Sequence, residues 1–353
     1  MPKAVRMADI AKRVGISTVT VSKALAGKDG VSDELRMTIK ETAQEMGYQL
    51  TAPPRKVRSG NTGNIGILIP SCFLKINSNS FYWEMYEKVI SCLSMNHYYG
   101  ILELLSEEAE QSLSLPRMRK ENKIDGLILI GQVSNAYRKM LQKTILLPIT
   151  FLDTYDSCGA GFSVISDGYY GMYAVTSYLL SMGHRNIFFV GSVNSTSSIS
   201  DRYFGYCRAM AEYGVEVTPD KIVPDRNEHR EISLVLPEKL PTAFACNCDL
   251  TAYEVLNQLK ARNLKVPDDI SVAGFDNYSV PCVTMPEITT YAVDISGMAR
   301  ACVDALLHQI YHKHPLSGMK VVSGRLIVRN SVKRIDCDGI AGARAPCQKS
   351  SAP

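Results

Sequence analysis

The chain has 353 residues, too many for one compact domain, and its 46% hydrophobic and 21% charged residues are an ordinary balance for a soluble protein of two or three folding units. It has no run of eighteen apolar residues and MPKAVRMADI lacks the apolar core of a signal peptide, so neither a membrane span nor a secretory leader is expected and a cytoplasmic protein is predicted. The net charge of +4 is uneven: the first sixty residues carry eleven Lys and Arg against six Asp and Glu, or +5, and the remainder carries 28 against 29.

In chain order, Asp9 to Ala26 reads DIAKRVGISTVTVSKALA. Ile10, Ala11 and Val14 mark one face of a short helix, Gly15 breaks it, and Ser17 caps a second helix whose apolar face is Val21, Ala24 and Leu25. That is a helix-turn-helix. The opposite face of the second helix presents Val19, Ser22, Lys23 and Ala26, with Thr18 at its start, all small or hydrogen-bonding residues able to approach base edges and phosphates in a major groove. Two helices around a Gly turn also occur in proteins that never touch DNA, and a basic face can simply be solvated. The local excess of positive charge, where phosphates would release counterions, favours the DNA reading.

A third helix opens at Val31 and Ser32, with Asp33 and Glu34 in its first turn, a buried stripe of Leu35, Ile39, Ala43 and Met46, and Gly47 at its end. From Tyr48 the sequence YQLTAPPRKVRSGNTGN is polar, basic and broken by Pro and Gly, which makes it a linker. The expected division is therefore a helical domain at 1–50, a hinge at 51–63, and a core at 64–335. A tail at 336–353, rich in small residues and Pro and without a leucine heptad, is expected to be disordered and not to tetramerise.

The core alternates short apolar runs with helical patterns. Strands are predicted at 65–70, 99–105, 126–131 and 149–152, then at 163–165, 187–191, 243–246 and 270–275, and helices at 81–95, 169–182, 202–213 and 250–263. Such alternation implies parallel sheets covered on both faces, and two series imply two lobes. The boundaries expected are about 64–162 plus 292–322 for the first lobe and about 163–291 plus 323–335 for the second, with a ligand pocket in the cleft between them. Among the ten cysteines, Cys72, Cys92, Cys207, Cys246 and Cys302 fall in apolar or helical patterns as small core residues. Cys246 and Cys248 have no second pair at zinc spacing, so no metal and no cofactor is expected.

DIAKRVGISTVTVSKAL, IGILIP, FLD at 151–153, MGHRNIFFVG at 182–191, RYFGY at 202–206, VPDDISVAGFDN at 266–277 and ITT at 288–290 resemble, in order, the lactose/galactose repressor family. The resemblance spans residues 6 to 334. It implies an N-terminal all-α helix-turn-helix domain, a hinge helix that folds on DNA, and an α/β two-lobed periplasmic-binding-protein-like core. The implied protein is a homodimeric transcriptional regulator, a repressor, that binds near-palindromic operator DNA under control of a small effector.

Matched residue by residue, the resemblance places Thr18, Val19 and Lys23 at base-reading positions and Ser22 on phosphate, with Arg55, Lys56 and Val57 in the hinge. It places Phe81 and Tyr82 as effector-lining aromatics and Asp153, Arg202, Asp249 and Asp276 as polar effector ligands. Carboxylates with an arginine and a ring face suit a mono- or disaccharide. The competing roles are a strand-end turn for Asp153 and Asp276, a surface ion pair for Arg202, and core packing for Phe81 and Tyr82.

Departures from the family matter as well. Pro53 and Pro54 are adjacent and Val57 stands where a leucine wedges between base steps, so the hinge is expected to be shorter and its wedge weaker. Ala26 replaces a common Asn, and Cys248 stands where many relatives have an Asn that contacts sugar hydroxyls. The loop SVNSTSSISD before Arg202 lacks the arginine that clamps a carboxylate in purine-type members, which disfavours a purine co-repressor. Two alternatives remain: control by a protein such as a phosphocarrier, and a sugar-processing enzyme. The second finds no nucleophile-and-base pair, phosphate-cradling loop or metal cluster in the sequence.

Overall fold

The structure is a computed structural model that describes residues 5–25, 30–46, 48, 61–74, 80–155, 161–227, 231–277 and 286–335. Expectations for Ala26, for the hinge at Pro53, Pro54, Arg55, Lys56 and Val57, and for the tail from residue 336 lie outside the described residues. Two units separate near Gly60, one spanning Met1–Gly60 and the other Asn61–Pro353.

The first unit contains α1 (Met7–Val14), α2 (Thr18–Leu25) and α3 (Asp33–Glu45). Asp9 accepts the Arg6 backbone N–H at 2.8 Å at the start of α1, and Gly15 ends that helix at φ 76°. The Ser17 hydroxyl accepts the Thr20 N–H at 3.1 Å and the Ser32 hydroxyl accepts that of Leu35 at 3.4 Å, so each later helix is capped by the serine before it. Ile10, Ala11, Val21, Ala24, Ile39 and Ala43 are buried together, and Val14, Leu25, Leu35 and Met46 pack against them. The apolar faces read from spacing are the ones that meet.

The second unit has two lobes. In chain order it comprises β1 (Asn64–Pro70), α4 (Ser80–Met95), β2 (Tyr99–Leu105), α5 (Glu107–Gln111), α6 (Arg117–Lys120), β3 (Gly126–Ile130), α7 (Asn135–Thr144), β4 (Ile149–Leu152) and β5 (Phe162–Ser166). Then come α8 (Gly168–Ser181), β6 (Ile187–Val190), α9 (Ser197–Glu212), β7 (Ile222–Val223), β8 (Ala243–Cys246), α10 (Asp249–Ala261), β9 (Ser271–Asp276) and β10 (Thr289–Ala292). The last elements are α11 (Ile295–His312), β11 (Gly318–Val322) and β12 (Arg325–Ile327).

Lobe 1 is built on the sheet order β11-β5-β4-β3-β1-β2 and lobe 2 on β12-β10-β9-β8-β6-β7, with every pairing parallel except β10 with β12. Strands buried on both faces read as continuous apolar runs. Ile65, Ile67, Ile69, Ile128 and Ile130 face α4 and α11, while Leu68, Leu127 and Leu129 face the cluster of Tyr137, Leu141 and Phe151. Lobe 2 repeats the scheme, with Ile187, Phe189, Ala245 and Phe275 on one side and Phe188, Val190, Phe244 and Val272 on the other.

One lobe assignment differs from the sequence expectation. The strand at 163–165, placed in lobe 2 by its position in the second series, pairs with β4 and β11 in lobe 1, and the chain crosses only afterwards, at Asp167. Sequence order cannot say which sheet edge accepts a short strand, because both lobes offer the same parallel ladder. The helix predicted from Arg202 begins five residues earlier, at Ser197, where the Thr196 hydroxyl accepts the Ile199 N–H at 3.2 Å. The lobes are crossed three times, between β5 and α8, between β10 and α11, and between β11 and β12.

Candidate functional site

The C-terminal ends of the strands, with the helices that follow them, face one another across the cleft. A cavity partly open to solvent lies there, lined by Phe73, Phe81, Tyr82 and Asp153 from lobe 1 and by Arg202, Arg226, Asn247, Cys248 and Asp276, among others, from lobe 2. Five of the six residues proposed from sequence line it: Phe81, Tyr82, Asp153, Arg202 and Asp276.

The two carboxylates occupy matching positions. Asp153 follows β4 at φ 58° and Asp276 ends β9 at φ 102°, each turned out of its ladder at the strand end. The Tyr82 hydroxyl donates to Asp153 Oδ2 at 2.8 Å, and the Tyr82 ring stacks on Phe73 at 4.6 Å and meets Phe81 edge-on at 5.3 Å. Burial pushes the Asp153 carboxyl above the usual carboxylate range, against the opposing pull of Arg202 and Tyr82. The Tyr82 phenol is pushed well up, by burial first and by Asp153 second.

Arg202 is held on three sides. It donates through Nη1 to the Asn247 carbonyl at 2.6 Å and through Nη2 to Asp276 Oδ1 at 3.0 Å, and its guanidinium lies 3.9 Å from the centre of the Phe275 ring. The side chains of this ion pair are only 5% and 10% exposed. Burial pushes Asp276 up to about 6, with Arg202 opposing it. Arg202 Nε and Asn247 Oδ1 are buried and have no hydrogen-bond partner among the described residues. A surface ion pair, one of the alternatives for Arg202, does not describe this geometry.

Asp249 sits elsewhere. As the first residue of α10 it is 1% exposed, accepts the Thr290 hydroxyl at 3.0 Å and abuts Gly274, so it packs α10 onto β9 and β10 and does not line the cavity.

Several lining residues were not foreseen. Arg226, beyond the end of β7, brings a second guanidinium into the cavity although the loop before Arg202 has none. Its Nε donates to Asp225 at 3.2 Å and its Nη2 to Cys248 Sγ at 3.8 Å. Asp225, fully buried, also accepts from the Ser192 N–H, the Asn247 amide and the Thr251 hydroxyl. Cys248 lines the cavity as a thiol, as its place in the sequence suggested. The only sequence signal for the others was position just past an apolar strand run.

Outside the cavity, the Tyr155 hydroxyl of lobe 1 donates to Asp201 of lobe 2 at 2.7 Å and the Ser197 hydroxyl of lobe 2 to Gln132 of lobe 1 at 3.2 Å. No group of three or more His, Cys, Asp or Glu among the described residues is arranged to hold a metal, and no helix among them is long and apolar enough to cross a membrane.

In the helical unit, Thr18, Val19, Ser22 and Lys23 are all exposed on α2, Val19 at 65%, while Val21 and Ala24 of the same helix are buried.

The sequence profile described as "Bacterial regulatory proteins, lacI family" matches residues 6–50, and that of a "Periplasmic binding protein-like domain" matches residues 176–332. These two matches, one towards each end of the chain, liken it to the lacI family of bacterial regulatory proteins. Among curated relatives, the HTH-type transcriptional repressor PurR of Vibrio campbellii is 27% identical over 334 residues, 93% of this chain and 98% of that protein. Among solved structures, a transcriptional regulator CelR–cellobiose complex superposes with a TM-score of 0.65 at 20% identity, over 93% of this chain and 99% of that one. A lac repressor dimer bound to operator and the anti-inducer ONPF superposes with a TM-score of 0.64 at 18% identity, over 94% and 100%. At such identities these two likenesses bear on the fold. The chain is a DNA-binding transcriptional regulator.

Proposed function

We propose that this regulator is a repressor that binds a near-palindromic operator as a homodimer, and that a mono- or disaccharide in the interlobe cavity sets its operator affinity. The observation that carries the effector reading is the cavity itself: two strand-end carboxylates and two arginines beside the stacked rings of Phe73 and Tyr82. Carboxylates accept from sugar hydroxyls, guanidinium groups donate to ring and hydroxyl oxygens, and the ring face takes the apolar side of a pyranose. The cellobiose in the similar CelR structure is consistent with this chemistry. In the helical unit, Thr18, Val19 and Lys23 read bases and Ser22 contacts phosphate.

DNA selected from a random pool by the purified chain, followed by a melting-temperature screen against neutral mono- and disaccharides, tests both parts. A two-fold symmetric consensus and at least one stabilising sugar that changes operator affinity are expected. Stabilisation by a phosphocarrier protein alone would replace the sugar reading.

A further inference from the structure

The described part of the second unit starts at Asn61, and its first residues are clamped to lobe 1. Asp125, just before β3, accepts the Thr62 N–H at 2.7 Å and the Thr62 hydroxyl at 3.0 Å on Oδ1, and the Gly63 N–H at 2.8 Å on Oδ2. Two successive backbone N–H groups converging on one carboxylate form a nest, and Gly63 makes it possible by adopting φ 75°. Around it, the Asn64 amide donates to the Lys123 carbonyl at 3.0 Å, the Asp125 N–H to the Asn64 carbonyl at 2.8 Å, and the Tyr98 side chain hydrogen-bonds Asn61 and Tyr311.

The clamp lies at the N-terminal ends of β1 and β3, the end of the sheet away from the cavity. At the other end β1 leads to Phe73, and β3 to Gly131, which packs against Phe73 and Tyr82. Asp125 is not among the residues that line the cavity, and the chain it holds is the stretch that joins the core to the linker. We propose that Asp125 is a positioning residue for DNA binding: it fixes the point at which the linker leaves lobe 1, and operator affinity depends on that fixation.

The physical reason is placement. Two recognition helices on a two-fold operator must be presented about one helical turn apart. Freeing Asn61 to Gly63 would add up to about 10 Å of reach to each arm. It would also transfer the ordering entropy of those residues from folding to DNA binding. A single half-site makes no such demand. The inference rests on the two-fold operator reading, which would itself fail if the wild-type chain bound full and half sites with equal affinity.

The test uses the full-length chain as wild type, Asp125→Asn and Asp125→Ala, with the selected operator and a half-site duplex measured by fluorescence anisotropy. Amide exchange at Thr62 and Gly63 is followed alongside. The expected result is faster exchange at both amides, a loss of operator affinity of about tenfold or more for Asp125→Ala and less for Asp125→Asn, and half-site affinity within twofold of wild type. Asp125→Asn keeps the volume and one acceptor oxygen, so it remains informative should the alanine variant fold poorly. Operator affinity within twofold of wild type despite faster exchange would overturn the proposal. So would an equal loss on full and half sites accompanied by a lower melting temperature, which would make Asp125 a structural residue only.

Discussion

Replacing Asp276 separates binding from stability only if the right residue is put in its place. Asp276→Ala would leave the Arg202 guanidinium, 95% buried as a side chain, without its carboxylate. Breaking such a pair costs about 3–5 kcal/mol of stability, which would obscure any effect on ligand. Asp276→Asn retains size, an acceptor oxygen for Nη2, and a residue type tolerant of positive φ, here 102°. It removes the charge and half of the acceptor capacity offered to a sugar hydroxyl. The expected loss in effector affinity is about 1–3 kcal/mol, or roughly 5- to 150-fold, with operator affinity in the absence of effector unchanged.

The pH dependence supplies a second axis. Burial raises Asp276 to about 6 from its ordinary 3.8, so the folded state binds more protons than the unfolded chain between those values. The contribution of this group to stability is therefore fully present below the unfolded value and is lost as pH rises through about 6. Effector affinity runs the opposite way, because the ionised carboxylate is the better acceptor. In wild type it should fall as pH drops below about 6, by at most about tenfold per unit for one group. In Asp276→Asn this slope should shrink to what Asp153, also raised by burial, contributes. Calorimetric titration with the responding sugar from pH 5 to 8 measures both. If Asp276→Asn keeps wild-type affinity and slope while losing stability, Asp276 only supports Arg202 and does not touch the effector.

Three further outcomes are expected. Lys23→Ala removes an exposed side chain from α2 and should cost about 1–3 kcal/mol on operator DNA, relaxing preference at one base pair in each half-site; equal weakening on random DNA would mean that Lys23 meets phosphate alone. Ile39→Ala empties the centre of the three-helix cluster, where Ile39 is fully buried, and should destabilise that unit by about 2–5 kcal/mol. A calorimetric scan should show the helical unit melting earlier while sugar binding by the core persists, and a simultaneous loss of both would contradict independent units. Gly205→Ala places a methyl group 2.1 Å from the Tyr169 carbonyl oxygen, so α8 and α9 would have to part. Overpacking costs about 1–3 kcal/mol or more, and a melting temperature equal to wild type would show that the helices shift without penalty.

The helical unit was the most legible part of the sequence. Ile10, Val21 and Ile39 are buried where spacing put them, and Ser17 and Gly15 cap and stop helices as their chemistry requires. The core strands were legible as apolar runs, because strands covered on both faces need no alternation, but which lobe takes β5 was not. Asp249 was matched to the effector ligands through its neighbours in sequence, yet the first turn of α10 rotates it onto Thr290 and under Gly274.

By itself, the sequence determined what depends on interactions a few residues apart: helix faces, caps, strand runs, the basic N-terminal segment and the family motifs. Tertiary structure alone decided what depends on separate strand ends arriving at one place. Phe73, Tyr82, Asp153, Arg202, Arg226, Cys248 and Asp276 come from distant segments of two lobes, and no local periodicity records that they meet. The pull of burial on Asp153 and Asp276, and of Asp125 on Thr62 and Gly63, follows from the same fact. Desolvation and long-range hydrogen bonds exist only once the chain has folded back on itself, so their consequences are written in space and not along the sequence.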